Sequence, residues 1–169
     1  SDVCSSDLGC ADSLALAGAI ALEAKKLTLK VIGVTIDHQL QTGSDEQASK
    51  VAAQLKEFGI EETIIKKVKV EMKDGLEASA RRARYEALES IEADAIFLGH
   101  TKDDQAETVL LGLARGSGGR SLSGMADVNG RYIRPLLNIS RKETIAACHE
   151  LNVKPWQDPQ DRKSTRLNS

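Results

Sequence analysis

The sequence predicts an α/β fold, a doubly wound parallel sheet with helices on both faces. Three observations carry that prediction. Short, mostly apolar, β-branched runs alternate with longer stretches whose apolar residues recur at helical spacing. The clearest strand run is apolar almost without interruption, as expected of a strand covered on both faces. Polar motifs rich in glycine, Asp and His fall just after the strand candidates, at the carboxyl edge where such sheets bind ligands.

Helix signals begin at Asp12, and residues 14–24 are strongly apolar. A helix of a parallel sheet needs a strand before it. Residues 1–8 (SDVCSSDL) hold two Asp and three Ser and make a poor strand, so the first strand of the sheet is expected to be missing. Residues 29–37 (LKVIGVTID) read as a strand buried on both faces. Ser44 starts a helix: Ser44 and Gln47 have capping-box spacing, Ala48, Val51, Ala52 and Leu55 share one face, and Gly59 suits the stop. Residues 62–70 (ETIIKKVKV) read as a more polar strand nearer a sheet edge. A helix from about Leu76 to Ile91 places Leu76, Ala80, Ala83, Ala87 and Ile91 on its inner stripe. Residues 95–99 (AIFLG) form a short buried strand, and residues 104–114 a helix with Val109, Leu110 and Leu113 inside. A loop rich in glycine and serine covers 116–124, and residues 131–136 offer a last short strand. Ser140 and Glu143 form another capping box, opening a helix to about Leu151.

Composition bounds the function. With 169 residues and a net charge of −2, the chain fits one domain able to bury roughly 70% of its unfolded surface. Hydrophobic residues at 41% and charged residues at 28% exclude a collagen-like or disordered chain, and no apolar run reaches membrane-spanning length. Aromatics at 3% make the core aliphatic and argue against a base-stacking platform. Cys4, Cys10 and Cys148 show no CxxC spacing, which speaks against a zinc site or disulfide framework and suits a reducing, cytoplasmic setting. Residues 162–169 (RKSTRLNS) are polar and without periodicity. With residues 1–8 they read as non-native flanks, of the kind left by translated sequencing-adapter read-through, around a domain at 9–161.

Five motifs could carry chemistry. Gly9, Cys10, Ala11, Asp12 and Ser13 open a helix, where small residues let N–H groups approach phosphate and the helix N-terminus favours an anion. Asp12 and Ser13 are equally ordinary capping residues. Asp37 and His38 end a strand, placed to contact an adenine or ribose, or to serve as a structural His. Arg81, Arg84 and Tyr85 share a helix face that can clamp phosphate, or simply pair with Glu77, Glu86 and Glu89. Asp104 and Glu107 share one face near a helix start, where acids commonly cap; two carboxylates there can also hold a cationic amine. Last, the stretch from Gly112 to Lys142 holds Arg115, Arg120, Arg131, Arg134, Arg141 and Lys142 against Asp127 alone, which suits an RNA backbone or pyrophosphate as well as a solvated loop.

Taken together these pieces resemble a known family. GCADSLAL, the Ile36-Asp37-His38 triplet, EASARRARYEAL, LGHTKDDQAETVLLGLARGSG, LSGM, RPLL, the SRKE of Ser140 to Glu143 and WQDPQD follow one another in the order and spacing of the tRNA(Ile)-lysidine synthase catalytic domain. That domain is an N-type ATP pyrophosphatase of the PP-loop family, with a Rossmann-like adenine nucleotide alpha-hydrolase fold. The GHxxxDxxET block followed by RGSG is the most specific piece, and the resemblance spans Gly9 to Asp161. It implies a carbon–nitrogen ligase. ATP adenylates C2 of the wobble cytidine in an isoleucine tRNA with a CAU anticodon, and the L-lysine amine then displaces AMP to form lysidine. It implies ATP and Mg²⁺ as cofactors, tRNA and lysine as partners, no membrane, and allows a homodimer.

On that resemblance Gly9, Cys10, Ala11, Asp12 and Ser13 cradle the pyrophosphate, and Asp37, His38 and Arg115 complete the ATP site. Asp104 and Glu107 bind lysine, and His100 lies near the reacting phosphate or cytosine. Arg81, Arg84, Arg115 and Arg134 hold phosphate or tRNA. The catalytic set is then His100, Asp104, Glu107 and Asp12. The family loop reads SGGxDS; here Leu8 stands for its Ser and Cys10 for its second Gly. Leu8 cannot donate a hydroxyl bond. Cys10 brings a Cβ where backbone must approach an anion or take a positive φ. An inert fragment or a nucleotide- or RNA-binding module is the alternative. A tRNA 2-thiolation enzyme of the same superfamily fits less well, since such enzymes carry CxxC pairs and a loop Lys where this chain has Ala11.

Overall fold

The computed structural model describes residues 2–6, 10–37, 44–69, 76–116 and 123–155. Gly9, His38, residues 117–122 and the WQDPQD segment lie outside them, as do the Ser44, Gln47 and Leu76 side chains. The strands are β1 (Asp2–Ser6), β2 (Val31–Asp37), β3 (Glu62–Lys67), β4 (Ala95–Leu98), β5 (Val128–Asn129) and β6 (Tyr132–Ile133). The helices are α1 (Ala11–Leu27), α2 (Ser44–Glu57), α3 (Leu76–Glu89), α4 (Lys102–Ala114) and α5 (Arg141–Glu150).

The strands form one sheet of order β3-β2-β1-β4-β6-β5, parallel except for the β5–β6 hairpin. The doubly wound prediction holds, with the polar β3 at one edge. The hairpin partner β5 was not anticipated. Its two residues, Val128 and Asn129, are too short a run to leave a period-two signature.

The expectation of a missing first strand is corrected. β1 occupies the centre, pairing from Asp2↔Val31 to Ser6↔Thr35 on one side and from Asp2↔Ala95 to Ser5↔Leu98 on the other. A parallel ladder is built from main-chain groups that every non-proline residue carries, so a polar pentapeptide can close it. Side-chain hydrophobicity marks a buried strand in sequence, but the ladder itself does not need it.

Strand alternation sorts the core onto two faces. Ile32, Val34 and Ile36 of β2 and Ile96 and Leu98 of β4 pack with Leu88 and Ile91 at the end of α3. Val31 and Phe97 turn the other way, onto Leu16, Ala17 and Ala21 of α1 and Val51 and Leu55 of α2. Gly33 makes this second face possible, since a Cβ there would meet Leu55 Cδ1 at 2.6 Å. A further layer, α5, packs Cys148 against Leu14 and Ala15 of α1. Its Ser140–Glu143 capping box forms as expected, and the Ser140 hydroxyl and N–H hold the Glu143 carboxyl below its usual range.

Two elements are held by polar contacts. Arg131 donates to the carbonyls of Leu88, Glu89 and Ile91 at 2.8–3.1 Å, tying down the C-terminal end of α3. Helix α4 buries no residue, and Leu110 and Leu113 are 63% and 54% exposed, so the expected inner stripe is corrected. Its anchors lie at its start: Thr101 and Asp104 form a capping box, and Gln105 exchanges two hydrogen bonds with the Met125 backbone at 2.7 and 2.8 Å. Helical periodicity marks side chains able to be buried together, but burial needs a facing surface, and the described residues supply none to the last turns of α4.

Candidate functional site

The chain winds outward from β1 through β2 to β3, then returns to β4 on the other side of β1. The β1/β4 boundary is therefore the topological switch point, where open α/β sheets bind ligands at the strands' carboxyl ends. Helix α1 follows β1 and α4 follows β4, so both first turns border one crevice. Gly99 sets their approach: a Cβ built there would stand 3.3 Å from Ser13 Oγ and 3.4 Å from Ser13 Cα.

On the α1 side, Cys10 is the N-cap, with φ −75° and ψ 154°. That extended backbone suits any L-residue, so the concern that Cys10 needs a positive φ is removed. The Cys10 Sγ lies 3.1 Å from Ser13 Oγ, and burial pushes its thiol pKa up. Ala11 gives its carbonyl to Cys148 Sγ at 3.2 Å. Asp12 is not a cap. It lies inside the first turn at 4% exposure, accepting from Arg141 Nε at 3.3 Å and bonded to the Thr144 hydroxyl. Burial raises the Asp12 pKa, against the opposing pull of Thr144 and Arg141.

On the α4 side, one Asp104 oxygen takes the Thr101 N–H at 2.7 Å and hydroxyl at 2.9 Å. The other takes Arg141 Nη2 at 3.2 Å. Asp103 accepts the Arg141 backbone N–H at 2.7 Å. Glu107 is exposed one turn further along α4.

The crevice wall beyond Asp104 is cationic. His100 follows β4 and feels the charges of Arg84, Arg134, Asp104 and Arg81. Burial first, then Arg84 and Arg134, lower its pKa to about 4, so the imidazole is neutral at physiological pH. Its Nδ1 is buried without a hydrogen-bond partner among the described residues. Arg84 is half-buried, and burial pulls its pKa below the usual value. Arg81 is exposed, its guanidinium 5.6 Å from the Tyr85 ring centre. Arg134 is buried at 6% exposure and bonded to the Ala126 carbonyl at 3.0 Å and the Tyr85 hydroxyl at 3.3 Å. Asp37 is buried at the end of β2. Arg115 caps the far end of α4, about 16 Å along the helix axis from Asp104 at the usual rise per residue.

The structure thus brings Asp12, Asp104, His100, Arg84 and Arg134 to one crevice and leaves Arg115 away from it. In sequence Arg141 is visible only as part of a basic stretch, and Thr144 carries no functional signal. Their bonds to Asp12 span 129 and 132 positions. The one available signal was the SRKE segment, in which a basic residue follows a capping Ser.

The arrangement joins a helix start suited to phosphate with a carboxylate pair and a neutral imidazole. Comparisons with known proteins identify the family. The PP-loop domain family model matches residues 6–166. A tRNA(Ile)-lysidine synthase from Thermobifida fusca is 52% identical over 152 residues, covering 88% of this chain and 47% of that protein. One from Streptomyces coelicolor is 51% identical over 158 residues, covering 89% and 45%. The chain spans about half the length of these curated relatives. Among solved structures, the U34-tRNA thiolase NcsA from Methanococcus maripaludis, with its [4Fe-4S] cluster, shares the fold at a TM-score of 0.67 and 21% identity. The match covers 94% of this chain and 59% of that one. By this family match the chain belongs to the PP-loop domain family, whose members use ATP.

Proposed function

We propose that this chain carries the catalytic half of a tRNA(Ile)-lysidine synthase, acting in the cytoplasm. The observation that carries the reading is the meeting of the Asp12 and Asp104 turns at the switch point. A phosphate-suited helix start there faces a carboxylate suited to an amine. In the first step the C2 oxygen of the wobble cytidine attacks the α-phosphate of ATP, a P–O bond forms, and pyrophosphate leaves. In the second the ε-amine of L-lysine attacks C2, the C2–O bond breaks, AMP leaves, and the amine gives up a proton.

The residues suit these steps. The α1 N-terminus stabilises the departing pyrophosphate through N–H groups and its partial positive charge. Asp104, fixed by Thr101, and Glu107 orient the lysine ammonium. With its pKa lowered to about 4, His100 is too weak a base to keep the amine's proton, so it acts by hydrogen bonding to the phosphate or cytosine. Arg81, Arg84 and Arg134 offset phosphate charge on that side. The rest is orientation of three bound partners.

Mg²⁺ fits this site only as a companion of ATP. Among the described residues no three His, Cys, Asp or Glu side chains converge. A hard cation bound by triphosphate oxygens needs no such cage.

The test is lysine- and ATP-dependent incorporation of radiolabelled lysine into a CAU anticodon stem-loop. It uses the chain as it stands and its Leu8→Ser/Cys10→Gly variant. Incorporation by either supports the reading. Failure of both, with no lysine-dependent AMP release, sinks it in favour of a binding module or inert fragment.

A further inference from the structure

Arg141 stands at the first position of α5, where the helix dipole disfavours a cation. Local structure therefore gives no reason for it, and the capping box of Ser140 and Glu143 already completes the helix start. Its reasons are tertiary. The guanidinium reaches Asp12 on α1 through Nε at 3.3 Å and Asp104 on α4 through Nη2 at 3.2 Å, while its backbone N–H meets Asp103 at 2.7 Å. The Asp12 side chain is only 5% exposed, and a carboxylate so buried needs a countercharge. Among the described residues Arg141 is the only cation bonded to it.

A guanidinium fork can hold two acceptors in one plane, which an ammonium cannot do with fixed geometry. The three helix starts that border the crevice are thereby joined through one side chain. Thr144 adds a second hold on Asp12 without touching Asp104.

We propose that Arg141 is a positioning residue that fixes the nucleotide-binding turn at Asp12 against the amine-binding turn at Asp104, so that one side chain supports both subsites. The proposal rests on the lysidine synthase reading for the identity of the two ligands. It makes Arg141 and Thr144 separable, since Arg141 serves both turns and Thr144 only one.

The experiment measures binding of Mg²⁺-ATP and of L-lysine to the whole chain by calorimetry, alongside carbon-13 carboxyl titrations of labelled Asp. Four proteins are compared: wild type, Arg141→Gln, Arg141→Lys and Thr144→Val. Arg141→Gln should weaken both ligands at least tenfold and move the Asp12 carboxyl midpoint upward. Arg141→Lys should restore the midpoint in part and the affinities less. Thr144→Val should weaken ATP and leave lysine within twofold. If Arg141→Gln binds both ligands as wild type does, or leaves the Asp12 midpoint in place, the positioning role is overturned while the lysidine reading stands. If Thr144→Val weakens both ligands as much as Arg141→Gln, the effect is general loosening and the role is again overturned. A wild-type chain that binds neither ligand removes the lysidine reading and the positioning role together.

Discussion

His100 and Asp104 show how a residue's surroundings decide its chemistry. The folded imidazole has a pKa near 4 and the unfolded one near 6.5. Between those values the unfolded chain binds more protons, so the native state loses stability as pH falls from 6.5 to 4. That single group contributes about 2–3 kcal/mol of this loss, and His100→Gln should flatten the pH dependence of urea unfolding over that window. An unchanged slope would show that His100 titrates normally. Asp104→Asn keeps an oxygen for the Thr101 cap but removes the charge. It and Glu107→Gln should raise the lysine KM severalfold while the ATP KM moves less; equal rises would place neither residue at the amine. Asp12, Asp104 and His100 were legible because motif position and helix spacing are local. The buried state of Asp12 was not legible, because the residues that bury and pair it come from the far end of the chain.

Among the elements, α3 and α4 make the contrast. The end of α3 is stitched to the sheet by Leu88 and Ile91 in the core and by Arg131 on its terminal carbonyls. Leu88→Ala should cost about 2–5 kcal/mol. Arg131→Ala should cost about 1–3 kcal/mol, since it strips partners from half-buried carbonyls. On α4, Leu110→Gln should change stability by less than about 0.5 kcal/mol, because the side chain is 63% exposed. Chemical denaturation of the three variants ranks them, and a Leu110 cost near that of Leu88 would mean that α4 is covered in solution. Periodicity located both helices to within two residues. Which stripe found a partner depended on what the rest of the chain placed opposite it.

For the whole molecule, the central position of β1 is the feature that decides integrity. It bridges the β2–β3 half to the β4–β6–β5 half, so removing it should split the sheet at its middle. A chain lacking residues 1–6 should lose its cooperative thermal transition and bind a hydrophobic dye; a retained transition would show that the two halves meet without β1. The sequence by itself determined the α/β class, the alternation of strands and helices, the edge position of β3, the α5 cap and the motifs that belong to a PP-loop domain. These rest on period, propensity and capping, which act within a few residues. Tertiary structure alone decided that a polar segment forms the central strand, that the α4 leucines face outward, and that Arg141 joins Asp12 to Asp104. Those outcomes depend on main-chain pairing and on groups more than thirty residues apart, and neither leaves a mark in local sequence.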